Sequence, residues 1–278
     1  MIRLVAIDMD ETLLRADKTF DTERFIRVVK ELSNQGVVIC IASGNMISRL
    51  EAYLPHEIRD TLYLAGENGN LTEKAGVELD VCGLTDADVL SIAKASSQRS
   101  WDHLVLSTGE RVFSTNPEAL ASDYVNIFYP DLEYVPSYEA VLAEFTPIKI
   151  AIHSADTLAH NKIFAREVAA KLPEVVGLTS GPEWIDFYPK AGGKDRALRF
   201  LQDKYHIKPA ETIAFGDSLN DLPMMAYAKY SVAMANADTD LKAHCVYEIG
   251  SNEEQAVITV LEDYLKTGQL DFLPERKG

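Results

Sequence analysis

The feature that most narrows the fold of this chain is a series of short, unbroken apolar segments separated by helical spacing. "RLVAID", "VVICIA" and "TLYLA" each read as a buried strand within the first 65 residues. Between the first two, in "DTERFIRVVKELSNQG", Phe25, Val28, Val29 and Leu32 recur at helical spacing and Gly36 supplies a stop. "MISRLEAYL" reads as a shorter helix ahead of the third strand. Continuous apolar strands joined by helices predict a parallel sheet covered on both faces. Ligands of such sheets bind beyond the carboxyl ends of the strands. The chain concentrates its chemistry there: Asp8 and Asp10 close the first strand, and Ser43, in "IASGN", follows the second.

From about Cys82 to Asp186 the texture changes. "TDADVLSIAKASSQ" and "LAHNKIFAREVAAKL" look helical, and "HLVLST", "RVFST", "PIKIAIHS" and "WIDFYP" look like strands in shorter units. This predicts an inserted α+β domain over 82–187. The first texture returns afterwards, with helix "KDRALRFLQDKY", strand "TIAFGD", helix "LNDLPMMAYA" and strand "YSVAMA". The last helix, "EEQAVITVLEDYL", carries Val257, Val260, Leu261 and Tyr264 on one face. The expected fold class is therefore α/β, with a discontinuous core over 1–81 and 188–278. Trp101 and Trp184 fall in the insertion, where packing is the safer reading, and the tail "TGQLDFLPERKG" looks loosely attached.

Composition excludes several classes of function. With 27 basic and 43 acidic residues among 278, the net charge of -16 argues against nonspecific binding to nucleic acid or anionic lipid. A locally positive pocket for a phosphorylated small molecule remains compatible with that charge. Cys40, Cys82 and Cys245 lie far apart with no metal-type spacing, and Cys40 sits in an apolar run, so a buried thiol in a reducing cytosol is expected. No signal-like or membrane-spanning run is visible, because Asp8 interrupts "LVAI" far short of the roughly 20 apolar residues a span needs. A soluble cytoplasmic protein, monomer or homodimer, is expected. The six histidines show no paired ligand spacing.

The acids carry the strongest chemical signal. In a strand, positions i and i+2 point the same way, so Asp8 and Asp10 in "DMDET" can face one site. Two carboxylates about 4 Å apart repel by roughly 4 kcal/mol at an effective dielectric of 20. A divalent cation relieves that repulsion, and oxygen ligands suit Mg²⁺; a solvated acidic turn is the bland alternative. In "FGDSLND" a second apolar strand runs into Asp217, with Asp221 four residues later. Helix capping by Asp217 or Ser218 accounts for one acid there, but not for a second acidic strand end in the same sheet. If both strands are central neighbours, Asp8, Asp10 and Asp217 converge.

The opposite sign is supplied elsewhere. Ser43 and the N–H groups of Gly44 and Asn45, at an expected helix start, offer a place for an anion, with a capping serine as the alternative. In "YPKAGGKDRAL", Lys194 opens a helix after two glycines. A lysine there opposes the helix dipole, so an anionic partner explains it better than a structural role does. Lys190 is its rival, and a solvated surface lysine is the alternative for either.

"DMDETLL", "IASGN", "GGKDRAL" and "GDSLNDLPMM" together resemble the four ordered motifs of the haloacid dehalogenase superfamily of phosphatases. The position of the insertion resembles the Cof-type branch with its α/β (C2B) cap, and "VAMANADTDLKAHC" is similar to that branch's continuation. The resemblance implies a Rossmann-like core and a cap that covers its strand ends. It implies Asp8 as nucleophile, forming an aspartyl-phosphate, and Asp10 as general acid and base, whose backbone carbonyl also binds Mg²⁺. Asp217 with Asp8 would hold the metal and Asp221 would support it. Ser43, Gly44, Lys194 and Asn220 would hold the phosphoryl oxygens, Thr12 would steady the loop, and Asn68 in "GENGN", otherwise a turn, would lie near the site.

Three residues depart from the usual pattern: Glu11 stands at a position usually held by glycine, Asn45 where arginine is common, and Asp195 beside Lys194. The expected activity is Mg²⁺-dependent hydrolysis of a small phosphorylated metabolite, with a sugar phosphate as the class the resemblance favours. A phosphomutase would use the same acids. A phosphorylated signalling receiver also would, but such a module is far shorter and carries no insertion.

Overall fold

The computed structural model describes residues 1–99, 102–180 and 183–276, so Trp101 lies outside the described residues. The chain divides into two compact units: Met1–Asp80 with Gly193–Gly278, and Val81–Gly192.

The first unit begins with strands β1 (Leu4–Asp8), β2 (Val38–Ala42), β3 (Tyr63–Gly66), β4 (Leu71–Lys74) and β5 (Val77–Val81). In the inserted unit β6 (Asp102–Ser107), β7 (Val112–Ser114), β8 (Leu132–Tyr134), β9 (Lys149–Ser154), β10 (Val175–Thr179) and β11 (Trp184–Pro189) follow. The first unit then resumes with β12 (Thr212–Gly216), β13 (Tyr230–Ala233) and β14 (Tyr247–Glu248).

Its sheet runs in the order β14-β13-β12-β1-β2-β3-β4-β5. The pairs from β14 to β3 are parallel, and β4 turns back antiparallel on β3. Parallel pairing sends the carboxyl ends of β1, β2, β3 and β12 to one edge. β1 sits between β12 and β2, with Ile7 opposite Phe215 and Asp8 opposite Ala42. All five residues of β1 and of β12 are buried, as expected for strands packed on both faces.

The helix Thr22–Asn34 is capped by Asp21, whose side chain accepts from the N–H of Arg24 at 3.2 Å. It buries Phe25, Val28, Val29 and Leu32, and it packs against the last helix, Ala256–Thr267. That helix buries Val257, Val260, Leu261 and Tyr264, and Arg24 forks onto Glu262 at 3.0 and 2.6 Å between the two. Removing the side chain of Phe25 or Leu32 would cost roughly 2–5 kcal/mol, the usual penalty for emptying a closed core site.

Three expectations need correction. The tail is tied down: Leu270 and Leu273 are buried, and the N–H of Arg276 donates to Val246 O at 2.9 Å. The burial of these two leucines, three residues apart, accounts for it. The helix expected over "LNDLPMMAYA" spans only Leu222–Met225. The return to the first unit falls not at 188 but after Gly192, because β11 runs to Pro189 in a sheet of the inserted unit.

The inserted unit is built on a mainly antiparallel sheet ordered β10-β11-β9-β6-β7-β8; among the described residues only β7 and β8 pair in parallel. Leu104, Leu106, Ile150, Ile152, Ile185 and Phe187 alternate onto one face and meet Val89, Ile92, Ala165 and Val168 of its helices. Trp184 packs against the rings of Phe128, Tyr129 and His153. His103 and His153 stack at 5.8 Å.

Candidate active site

The parallel edge delivers its residues as the topology requires. Asp8, the last residue of β1, is buried, and its Oδ1 accepts from Lys194 Nζ at 2.5 Å. Lys194 opens the helix Lys194–Tyr205 and is itself buried. Its Nζ also donates to Asp221 Oδ1 at 2.5 Å. Asp221 Oδ2 accepts from the backbone N–H groups of Asp217 and Ser218 at 2.9 and 3.0 Å. Both oxygens of Asp221 are thus engaged, and it braces the turn that follows β12. Thr12 Oγ1 donates to Asp217 Oδ1 at 3.2 Å, which ties the segment after β1 to that turn.

Asp8, Asp217 and Asp221 each bring an oxygen within 4.8 Å of the others, the one such cluster among the described residues. Burial pushes the Asp8 carboxyl up to about 7; the charge of Asp221 adds to the rise and Lys194 opposes it. Asp217 is pushed up to about 9, by burial first and then by repulsion from Asp8 and Asp221. Burial works against the charge of Lys194, but Asp221 and Asp8 outweigh it and hold the ammonium above the ordinary lysine range. One ammonium therefore faces three crowded carboxylates. A hard divalent cation fits this donor set, since oxygen ligands and uncompensated negative charge are what such an ion requires.

Asp10 has a different setting. Its carboxylate accepts from Asn45 Nδ2 at 2.6 Å and from Lys18 Nζ at 2.8 Å. Asn45 also meets Ser43 Oγ, through its backbone N–H at 3.1 Å and its amide at 3.2 Å. The expectation that Ser43 to Asn45 open a helix does not hold: the helix starts at Ile47, with Met46 at its N-cap. The backbone is spent instead on the β3 loop, with Ser43 N donating to Ala65 O, Glu67 N to Asn45 O and Asn68 N to Ser43 O, each at 2.9 Å.

The "GENGN" loop organises the other side. Asn68 is buried in a left-handed conformation, and its Oδ1 accepts from Asn220 Nδ2 at 3.1 Å. A Cβ on Gly44 would lie 3.0 Å from that same Oδ1. At Gly69, with φ +80°, a Cβ would lie 2.5 Å from Gly193 O, so only glycine lets this loop approach the segment that carries Lys194. Glu11 also holds a positive φ, 57°, which explains why glycine suits the position. Its carbonyl accepts from Asn236 at 2.8 Å and its carboxylate from Asn252 at 3.2 Å.

Of the residues singled out in the sequence, Asp8, Thr12, Lys194, Asp217 and Asp221 meet directly. Ser43 joins Asp10 through Asn45, and Asn220 joins the loop at Gly44 through Asn68. The carboxylate of Asp10 stands outside the three-acid cluster. Asp195 pairs with Arg199 at 3.1 Å. Lys18 had no signal in the sequence: it is a lone charge in a polar turn, and only the fold returns it to Asp10.

Residues 5–261 match the family described as haloacid dehalogenase-like hydrolase. The chain belongs to this family of hydrolases. Within it, the chain falls in the Cof-type phosphatase branch. It is 28% identical over 271 residues to the 5-amino-6-(5-phospho-D-ribitylamino)uracil phosphatase YbjI of Escherichia coli K12, covering 95% of this chain and 97% of that one. The crystal structure of SMU.1108c from Streptococcus mutans UA159 superposes with a TM-score of 0.86 at 27% identity, over 96% of this chain and all of that one. The subclass IIB sugar phosphatase BT4131 shares the fold, with a TM-score of 0.78 at 20% identity over 94% of this chain and 98% of that one. Among the described residues no helix is long and apolar enough to cross a membrane.

Proposed function

We propose that this phosphatase hydrolyses a small phosphorylated metabolite with Asp8 as nucleophile and a divalent cation, Mg²⁺, as cofactor. The observation that carries the reading is the meeting of Asp8, Lys194, Asp217 and Asp221 at the ends of two adjacent parallel strands. Asp8 and Asp217 would hold the ion, together with the backbone carbonyl of Asp10. Asp221 supports it by fixing Lys194 and the Asp217–Ser218 turn. When bound, the ion supplies positive charge against the phosphoryl oxygens and the carboxylates.

The chain's own groups divide the remaining work. An Asp8 oxygen bonds to phosphorus while the bond to the leaving oxygen breaks, and Asp10 gives that oxygen its proton. Water then bonds to phosphorus, the Asp8–phosphorus bond breaks, and the water's proton returns to Asp10. Lys194 keeps the attacking oxygen in place and offsets charge as it develops. Ser43 Oγ, the Gly44 N–H and Asn220 are assigned to the non-bridging phosphoryl oxygens. The unit Val81–Gly192 is read as the Cof-type cap domain, which selects the leaving group. Three free thiols suit a cytoplasmic setting.

A phosphorylated sugar or sugar alcohol is the substrate class we assign, because the relative in Escherichia coli acts on a phosphoribityl compound. The test is phosphate release from a panel that includes hexose phosphates, pentose phosphates and that compound, with Mg²⁺ or with chelator. Release that needs the ion and disappears in Asp8→Asn is expected. Release that survives either change would refute the reading, and isomer formation without free phosphate would make the protein a mutase.

A further inference from the structure

We infer that Lys18 and Asn45 form a two-sided clamp that orients the carboxylate of Asp10 for proton transfer, making Lys18 a positioning residue of this reaction. The inference rests on the proposed role of Asp10. Each oxygen of Asp10 has its own donor: Oδ1 receives Lys18 Nζ at 2.8 Å and Oδ2 receives Asn45 Nδ2 at 2.6 Å. With one donor on each oxygen, turning the carboxylate in either direction would cost one of the two hydrogen bonds. Neither donor bonds to the three-acid cluster; beyond Asp10, Asn45 meets Ser43 Oγ and Lys18 lies 4.0 Å from Glu11.

Lys18 is not a lysine that meets an acid by chance on a mobile surface. Its backbone is left-handed, with φ 63°, a conformation costly for a side chain of this size. A closed turn maintains it: Arg15 N donates to Thr19 O at 2.8 Å and Lys18 N to Arg15 O at 2.9 Å. Asp17 takes both the N–H and the hydroxyl of Thr19 at 2.9 and 2.7 Å. The turn is anchored from outside as well, where the N–H of Ala16 donates to Glu253 Oε1 at 2.8 Å. Asn45 is equally constrained, because Ser43 Oγ holds both its backbone and its amide. Glu11 is the other acid near Lys18, at 4.0 Å, and the shorter bond to Asp10 decides where the ammonium rests.

A proton donor matters in proportion to how poorly the leaving group departs unaided. The test therefore compares kcat/KM for p-nitrophenyl phosphate, whose leaving group needs little help, with that for phenyl phosphate, whose leaving group needs more. This ratio covers only the steps through the first bond cleavage, where the Asp10 proton is used. Lys18→Gln and Asn45→Ala are each expected to lower kcat/KM for phenyl phosphate about tenfold or more and for p-nitrophenyl phosphate about threefold or less. Lys18→Arg should restore most of the difference. Asp10→Ala sets the upper limit of the effect.

Equal losses on both esters, or no loss on either, would overturn the clamp while leaving the phosphatase reading intact. Failure of the unsubstituted protein to hydrolyse any phosphate ester would overturn both.

Discussion

Asp8 and Asp10 are the same residue type two positions apart, yet the fold gives them opposite surroundings. Asp8 is 5% exposed and faces Lys194 and two further carboxylates from the β12 turn. The side chain of Asp10 is 36% exposed and is gripped by an amide and a partly exposed lysine. The buried site concentrates charge, which suits an attacking group and a cation. The rim site leaves room for a proton to come and go. In the proposed mechanism, position relative to the end of β1 decides which role each acid takes.

The comparison breaks most sharply at Asp8. Asp8→Asn should lower phosphate release by about a thousandfold or more, as loss of a nucleophile does, while circular dichroism and melting stay near those of the parent. Partial activity above that level would place the nucleophile elsewhere. Lys194→Ala strikes the same cluster through the ammonium that joins Asp8 to Asp221. Breaking a buried charge pair from one side costs about 3–5 kcal/mol, so denaturant unfolding should show a loss of that size in chelator. Lys18→Gln, on the exposed side, should change unfolding by under about 1 kcal/mol. Similar losses at the two lysines would erase the contrast.

Protonation gives a third separation. Asp8 and Asp217 titrate in the fold near 7 and 9, against an ordinary value of 3.8. Between those values the folded state holds protons that the unfolded chain has released. In chelator, stability should therefore fall as pH rises from about 4 through 7 and on towards 9. Added Mg²⁺ should raise the melting temperature little at pH 5 and most at pH 8–9, where the carboxylates are free to bind it. A metal effect independent of pH would count against carboxylates as its ligands. The smallest effect is expected at Glu11→Gly. Relief of the left-handed backbone offsets the lost contact with Asn252, so stability should change by less than about 1 kcal/mol, measured by thermal melting.

Much of the buried region was legible in the sequence because continuous apolar strands announce a parallel sheet, and acids at their ends stand out against that background. Lys194 was legible for the same kind of reason, since a lysine at a helix start runs against the dipole. The rim was not. Lys18 reaches Asp10 through a left-handed turn at a residue type that gives no hint of it. Asn45 could be flagged only as a departure from the family's common arginine. β4 and the edge strand β5, with sequences "LTEK" and "VELDV", were missed because partly exposed strands carry mixed polarity. β10, "VVGLT", was missed for its glycine, which a strand pattern disfavours.

Trapping the phosphorylated enzyme tests the central claim most directly. A millisecond acid quench of the protein turning over a phosphate ester with Mg²⁺, followed by borohydride reduction and peptide mass spectrometry, converts an acyl-phosphate at an aspartate into homoserine. Homoserine at position 8, absent without substrate, is the predicted result. Turnover that leaves position 8 unmodified, or that places the reduced residue elsewhere, would contradict the account.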